Sequence, residues 1–596
     1  MKFRLHIGIL FLILVPGLRA QNLDLARTYL KKGQWEKALA IYQEWEKQNG
    51  FSVRVYDDIL KIYLGRQDFI SAEDYIRRSY RKRPLAYMDA DLYHVYRVGG
   101  QTRRAEEQWK KLEQKLRRQP YQTLAVVRRL RRYGYVDRAL GLLNKYVKNQ
   151  SSPAVYLEKG NLYAEKGQID SMMTAYVRTA LLSRSYLYYI QSQLKKYLTS
   201  DPSNPYNATL RRILLRQVMR HPKPALIELL EWLYVNEKQY DKAFVQAKGL
   251  YLRGLLSLHE LLDLAEDALA ESQVATALRI IDFVRQQAET QSPSALDRAL
   301  WLRSLAEAAR PETPPEGDPV KTWLRRAARM QTEQYRFKLH RLVVDYLMRH
   351  KRLAQAYRLS DSLNRHADKR RQQAYWRETL GDILLHQGKF DQAAVTFTLL
   401  REDFPYDEVN YRALYKTALA SFLGGDAQWA HQMLKPLKKA AQREVANDAL
   451  WLDFLIISHT KPRDSLQTHL RRLALAYFPY YRCDLSALNR IADSLRALPD
   501  SQPIRDDLLF MQGRLAFDAG RWEQAARYWK ALADMSTAKM YREEALYRLG
   551  IIFEKLNRTS EALKYYKELL KNYPEGFYFE PAQNRYRALQ SKNQSL

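Results

Sequence analysis

The sequence predicts an all-α fold, a superhelical solenoid of antiparallel helix pairs, and two observations carry the prediction. The first is a repeat of 34 residues near the N-terminus, where Ala38 corresponds to Ala72 (72 − 38 = 34) and Tyr29 to Tyr63. A period of this length is typical of stacked helix–turn–helix units. The second is the composition: 46% hydrophobic residues are too many for disorder, and 22 Gly and 21 Pro among 596 residues are too few for an all-β fold.

Residues 21–310 are predicted to form a first array of these units. A small position on the second helix recurs at offsets of 33 or 34 residues through five units. These positions are Ala38, Ala72, Ala105, Ala139 and Met172. Small residues there, and glycines such as Gly160 on the first helix, let the paired helices approach closely. An aromatic residue such as Trp35 is expected to wedge between the two helices. The pattern weakens over 183–224 and returns at Ala243.

Residues 320–596 are predicted to form a second array. The stretch 311–319 holds four prolines and a glycine, so it is either a long turn within one helix pair or the boundary between two arrays, and we favour the boundary. The small positions of the second array are Ala356, Ala393, Ala430, Ala525 and Ala562. Helical periodicity without clean phase runs over 451–503, and 579–589 is expected to form a capping helix over the last apolar face.

Residues 1–20 are predicted to be a secretory signal peptide. Lys2 and Arg4 precede an apolar run over 7–15, and a cleavage site follows Ala20. Because the run is too short to span a bilayer comfortably, we expect an exported, periplasmic or envelope-associated mature chain. An uncleaved anchor is the alternative.

These motifs resemble those of the tetratricopeptide repeat family. Gly381 and Ala393, in LGDILLHQGKFDQAAVTF, stand at the family's glycine and small positions, and the part from 506 to 589 is similar to periplasmic modules of the bacterial cell envelope. The resemblance implies the architecture and the compartment. Members that clamp a terminal carboxylate need Asn where this chain has Arg27 and Lys where it has Leu23, so the resemblance does not imply that activity.

Charge and motifs limit the classes of function. The formal charge of +32 attracts nucleic acid, acidic lipid head groups or acidic proteins, or it simply keeps a long array in solution. The sequence has no P-loop, no dinucleotide fingerprint and no His-Glu-x-x-His helix. Its sole cysteine, Cys483, allows neither an intrachain disulfide nor a cysteine zinc site, and we interpret it as an inert thiol. We therefore expect no catalytic residue, no metal and no cofactor.

A stripe of basic residues is the candidate partner-binding site. In this family the first helix of each pair lines the concave surface, and in the first four units the groove positions are basic. They are Arg27, Lys31, Lys61, His94, Arg97, Arg128, Arg131 and Arg132. The stripe indicates an extended acidic ligand, and the alternative is an Arg-rich face that only meets solvent.

The predicted function is a non-catalytic protein–protein interaction scaffold that binds acidic or extended protein segments in its concave groove within the bacterial envelope. Peripheral association with the membrane is a further possibility. One alternative is a binder of polyanions or nucleic acid, in which Arg128 to Arg132 would act with Tyr133 and Tyr135, although export argues against nucleic acid. The other alternative is an enzyme with its site in 183–224 or 451–503.

Overall fold

The structure is a computed structural model that describes residues 15–147, 152–309, 317–405, 408–439, 445–460, 468–498, 504–535 and 540–594. These residues form 32 α-helices, two short 3-10 helices and no strand. Two compact units divide the chain. The first comprises the residues up to Gly317 together with Arg329–Arg336, and the second comprises Asp318–Ala328 together with Phe337–Leu596.

The first unit is built from helices α1 to α17. They are α1 (Val15–Lys31), α2 (Trp35–Asn49), α3 (Val53–Gly65), α4 (Phe69–Lys82), α5 (Tyr87–Val98), α6 (Thr102–Arg118), α7 (Thr123–Arg132), α8 (Val136–Tyr146), α9 (Pro153–Glu165), α10 (Ile169–Leu182), α11 (Leu187–Leu194), α12 (Pro205–Arg220), α13 (Pro224–Asn236), α14 (Tyr240–Tyr251), α15 (Leu258–Ala270), α16 (Val274–Gln291) and α17 (Pro293–Ala308). The 3-10 helices span Pro120–Gln122 and Arg184–Tyr186.

The second unit contains all of α18 except its last residue, Arg329, and all of α19 except its first four residues. It also contains all later helices. They are α18 (Pro319–Arg329), α19 (Glu333–Arg349), α20 (Leu353–Arg365), α21 (Arg370–His386), α22 (Phe390–Asp403), α23 (Glu408–Leu423), α24 (Ala427–Lys439), α25 (Ala446–His459), α26 (Thr468–Tyr481), α27 (Leu485–Arg496), α28 (Arg505–Asp518), α29 (Trp522–Asp534), α30 (Arg542–Lys555), α31 (Thr559–Asn572) and α32 (Phe579–Gln594). The last helix packs against α31.

The structure confirms the all-α solenoid of helix pairs. Every predicted small alanine, from Ala38 to Ala562, is fully buried. The glycines of the first helices also behave as predicted, because a Cβ at Gly160 would lie 2.5 Å from the ring of Tyr176 on the paired helix. Trp35 departs from the prediction: it packs against Gly65, at the end of the first helix of the next pair, and so joins two pairs.

The turn within each pair has one constant feature. Five residues before each small position, the backbone enters the left-handed region, as at Gly33 before Ala38 and at Gly388 before Ala393. Glycine adopts this conformation without a steric penalty. The position is therefore a geometric marker of the repeat that the structure shows even where the residue is not glycine.

This marker identifies a helix pair that we did not predict from the sequence. Over 451–503, where we predicted helices without clean phase, Cys483 adopts the left-handed conformation (φ 52°) between α26 and α27, and Leu488 follows five residues later, fully buried. The unit was missed because Cys and Leu replace the usual Gly and Ala. Helix α25 belongs to no pair. It packs against α24, and its Trp451 ring lies 5.5 Å from that of Tyr477 on α26.

Parts of three predictions lie outside the described residues. These are residues 1–14 of the predicted signal peptide, 311–316 of the predicted boundary, and 461–467 and 499–503 of the segment predicted to be helical without clean phase. Among the helices that are described, none is both long enough and apolar enough to cross a membrane.

Candidate functional site

The predicted basic stripe lies on the first helices of four successive pairs, α1, α3, α5 and α7. Several of its cations are neutralised by carboxylates. Arg27 contacts Asp24 at 3.1 Å. Arg131 donates to Glu158 at 2.5 Å and to Glu165 at 3.1 Å, and the carboxylate of Glu158 is almost completely buried.

Two further arginines of the stripe share these partners. Arg128 lies 3.6 Å from Glu158, and Arg132 donates to Asp57 at 2.9 Å. Lys31 and Lys61 are exposed and form no ion pair with any other residue that the structure describes. Arg97 is likewise exposed and forms no ion pair with a described residue. The face therefore combines ion pairs within and between helices with three separate unpaired cations.

His94 contributes no positive charge to the stripe at neutral pH. Its ring stacks on Tyr133 with centroids 3.8 Å apart, and its Nδ1 lies 3.0 Å from the hydroxyl of Tyr135. Burial lowers the pKa of His94 to about 4. The prediction that treated His94 as part of a basic surface is corrected accordingly.

A buried polar cluster behind the stripe escaped the sequence analysis. Asp91 on α5 is fully buried and accepts hydrogen bonds from Tyr56 at 2.8 Å and Tyr133 at 2.6 Å. Arg129 pairs with it at 2.7 Å and also donates to Asp57 at 2.5 Å. The position of Arg129 along α7 could have indicated its burial. It lies three residues after the buried Val126 and therefore on the same, inner face of the helix.

In the second unit, successive first helices form two adjoining cavities of about 530 and 420 Å³, which share Asp345 and Met348. The larger is lined by Asp345, Met348, Arg349, Lys351, Leu353, His386, Arg482 and Asp484. The smaller is lined by Asp345, Met348, Tyr375, Glu378, Thr379, Asp382 and Arg412. We call the two together the α19–α26 groove.

One wall of this groove is held by ion pairs at the repeat spacing. Glu378 on α21 accepts hydrogen bonds from Nε and Nη2 of Arg412 on α23, at 3.0 and 2.9 Å, and the two residues are 34 positions apart. Lys416 donates to Glu378 at 2.9 Å and to Asp382 at 2.7 Å. Although burial raises the pKa of Glu378, the hydrogen bonds from Arg412 and the charge of Lys416 lower it overall.

The other end of the groove is cationic. The turn between α26 and α27 approaches the turn between α19 and α20, where Lys351 lies 3.4 Å from Asp484 although 133 positions separate them. Arg349 and Arg482 form no ion pair with any described residue. Burial, and then the charges of Arg482 and Lys416, lower the pKa of His386, which stays neutral at pH 7.

The structure places no metal site among the described residues, since no group of three or more His, Cys, Asp or Glu side chains could hold an ion. Of the two segments named for an enzyme, 451–503 contributes Arg482 and Asp484 to the larger cavity. Cys483, between them, is exposed and free.

Family models of the tetratricopeptide repeat match the chain over residues 23–49 and 510–577, near its two ends. Between these matches the same turn geometry and the same buried small positions recur in both units. The chain contains tetratricopeptide repeats. Repeats of this family are modules of protein–protein interaction, and the two matches support that general role for the chain.

A comparison with curated protein sequences finds no match. Among solved structures, the chain is similar to "Naa15/Naa10 bound to HypK-THB" (13% identity, 98% of this chain and 88% of that one, TM-score 0.29). It is also similar to a tetratricopeptide repeat protein from Parabacteroides merdae (13%, 56% and 98%, TM-score 0.19) and to the pentatricopeptide repeat protein PPR10 from maize (13%, 99% and 97%, TM-score 0.28). At these TM-scores the likenesses carry no conclusion about what this tetratricopeptide repeat protein binds.

Proposed function

We propose that this tetratricopeptide repeat protein is a non-catalytic scaffold of the bacterial cell envelope that binds a protein segment in the α19–α26 groove. The observation that carries the proposal is the pair of adjoining cavities formed by side chains of successive first helices, with Tyr375, Met348 and Leu353 as apolar wall and charged groups between them. A groove that combines a few apolar contacts with oriented charged groups fits an extended segment.

The second unit supports this role better than the predicted stripe in the first. Arg131 is the counter-charge of a buried carboxylate, so its contribution is already used within the fold. A partner would have to compete with Glu158 for it, and replacing it would leave that carboxylate buried without its ion pair. The exposed Lys31 and Lys61 remain available, but they are isolated charges of small energetic value.

Export is part of the proposal and is supported by the N-terminal pattern alone. Its test is mass spectrometry of the N-terminus of the chain recovered from the source organism. A mature N-terminus at Gln21 supports export, and a chain that keeps Met1 in the cytoplasmic fraction contradicts it.

The native cysteine allows a direct test of the groove. Cys483 is exposed and stands between two residues that line the larger cavity. The full mature chain, labelled at Cys483 with a benzophenone maleimide, is irradiated in envelope extract of the source organism. The matched control carries Cys483→Ser and Arg103→Cys, which moves the label to an almost fully exposed position in the first unit.

We expect discrete cross-linked proteins from the label at Cys483 that are absent from the control. If both labels give the same products, or if neither gives any, groove binding by the second unit is wrong. Persistence of the products at moderate salt separates a shaped interface from general attraction to a basic surface, which salt weakens steeply.

A further inference from the structure

The cationic end of the α19–α26 groove brings two arginines without an ion pair to one cavity. Along the wall of the same groove the arginine meets a carboxylate, as Arg412 meets Glu378. Here Arg349 uses its Nε to donate to the backbone carbonyl of Asp345, and Arg482 lies over the ring of Phe478 at 5.3 Å. Both guanidinium groups keep donors that no described carboxylate takes up.

The charges that line the larger cavity nearly balance. Its cations are Arg349, Lys351 and Arg482, its anions are Asp345 and Asp484, and His386 is neutral at pH 7. A ligand with one negative charge would therefore make the cavity neutral, and a ligand with two negative charges would leave it with a net negative charge. Three helices end at this cavity (α19, α21 and α26) and two begin there (α20 and α27). The helix dipoles therefore give the cavity no preference for an anion, and its charged side chains decide which ligand it favours.

Asp484 cannot supply the missing charge. Its Oδ1 accepts from the backbone N–H of Ala487 and so caps α27, and its Oδ2 faces Lys351. Asp345 lies in the same cavity, but its carboxylate forms no ion pair with Arg349 or Arg482; burial raises its pKa, and the charges of Arg341 and Arg349 act against that rise. The two arginines thus remain without an ion-paired carboxylate among the described residues.

We propose that this end of the groove binds a single carboxylate of the partner segment between Arg349 and Arg482, beside His386. The inference rests on the proposed function, because it names the chemistry that the same groove recognises. An arginine offers paired donors that match the two oxygens of a carboxylate, and a neutral imidazole adds one further N–H. Met348 and Leu353 then contact the apolar part of the residue that carries the carboxylate.

The test uses the full mature chain and fluorescein-labelled tetraglutamate, once with a free and once with an amidated C-terminus, followed by fluorescence anisotropy. Arg349→Gln and Arg482→Gln are compared with Arg358→Gln, which removes the same charge from an exposed position on α20 that forms no ion pair with a described residue. We expect each groove variant to weaken binding about tenfold and the control variant to change it less than about twofold.

Equal weakening in all three variants would overturn the proposal, since the peptide would then respond only to the total charge. Wild-type affinity in both groove variants would overturn it as well. Loss of binding on amidation assigns the site to a terminal carboxylate, and retained binding assigns it to a side-chain carboxylate. Thermal denaturation of each variant verifies that the fold is intact.

A second readout is independent of affinity. A carboxylate bound beside His386 stabilises its protonated form, so saturation with the peptide must raise the pKa of His386. The ring signal is followed by NMR and assigned with His386→Gln. An unchanged pKa at saturation contradicts the proposed geometry.

The cross-linking experiment separates this proposal from the proposed function. If the groove variants still give the cross-linked products of the wild type, the carboxylate site is wrong and the scaffold function stands. If the wild type gives no cross-linked products, the scaffold function itself is wrong.

Discussion

Two carboxylates on equivalent faces of the array, Asp91 in the first unit and Glu378 in the second, have opposite surroundings. Asp91 is closed in by Arg129, Tyr56 and Tyr133, and the cluster has no opening to solvent at the carboxylate. Glu378 is held by Arg412 and forms part of a cavity wall. The same residue types at nearly the same repeat spacing thus stabilise the packing of helices in one unit and shape a groove in the other.

The comparison teaches that charge read along one helix does not identify a binding surface in this fold. The sequence indicated a basic face on α7, but the carboxylates that neutralise it lie 27 to 75 positions away in the chain. What distinguishes the groove is that unpaired cations line a cavity, as Arg349 and Arg482 do. The predictions below test that distinction, from the largest expected effect to the smallest.

Replacing Arg129 with Leu is expected to have the largest effect. It leaves the buried Asp91 without its counter-charge, which costs about 3–5 kcal/mol of the stability of the first unit. The measurement is hydrogen exchange of α5 and α7 amides combined with the denaturation midpoint. Arg132→Leu is the control, because its exposed pair with Asp57 is worth less than about 1 kcal/mol. Equal effects of the two variants would show that the cluster is not the anchor described here.

Alanine at the first-helix glycines should destabilise both units alike. The added Cβ of Gly160→Ala would overlap the ring of Tyr176, which is buried and donates a hydrogen bond to Asn161 and so cannot move aside. Gly381→Ala meets Phe397 in the same way. We expect a loss of about 1–3 kcal/mol in each case.

The control for these glycines is Gly141→Ala on α8, where an added Cβ meets nothing within 4 Å. It should be neutral or stabilise by up to about 1 kcal/mol through helix propensity. A gain of stability at Gly160 would contradict the close packing of the pair.

Two glutamates should respond to pH in opposite senses. Burial, and then the charges of Glu228, Glu260 and Asp267, raise the pKa of Glu231 from its ordinary 4.5 to about 7. Its contribution to stability is full below pH 4.5 and is lost as the pH rises to 7. Above pH 7, Glu231→Gln should therefore stabilise the first unit by on the order of 1 kcal/mol.

Glu378 has a lowered pKa, so its contribution is present above its ordinary pKa and is lost as the pH falls. Glu378→Gln should destabilise the second unit by about 1–3 kcal/mol at pH 8, because Arg412 and Lys416 lose their charged partner. Denaturation midpoints between pH 4 and 8 measure both variants. The same sign for both at pH 8 would refute the contrast between an unpaired and a paired carboxylate.

The exposed lysines of the first unit should matter least. Lys31→Ala and Lys61→Ala are expected to change stability by no more than about 0.5 kcal/mol, because neither side chain pairs with a described residue. The pair Lys31→Glu and Lys61→Glu tests the predicted stripe as a binding surface without disturbing the fold, which Arg131→Glu would do. Loss of the Cys483 cross-links in this double variant would return partner binding to the first unit.

The fold was largely accessible from the sequence, since buried alanines at a fixed spacing and turn glycines directly report a packing geometry. The pair α26–α27 was not, because Cys483 and Leu488 satisfy the same geometry with different residues. The groove could not be predicted from the sequence for a different reason. It depends on two turns that are 133 positions apart in the sequence but close in space, as Lys351 and Asp484 show, and no local sequence pattern indicates such a contact.

The left-handed turn position also bears on engineering the protein for heat resistance. In the first unit, Gln67, Lys238 and Ser272 adopt it although each carries a Cβ. The left-handed conformation destabilises the folded state by roughly 1–2 kcal/mol at such residues. Glycine would remove this cost, but it would also stabilise the unfolded chain by about 0.5–1 kcal/mol, because it has more backbone conformations to lose on folding. At each of these turns, a single exchange to glycine should therefore raise the melting temperature slightly. None of the three turns lies in the α19–α26 groove, so the exchanges leave the residues of that groove unchanged.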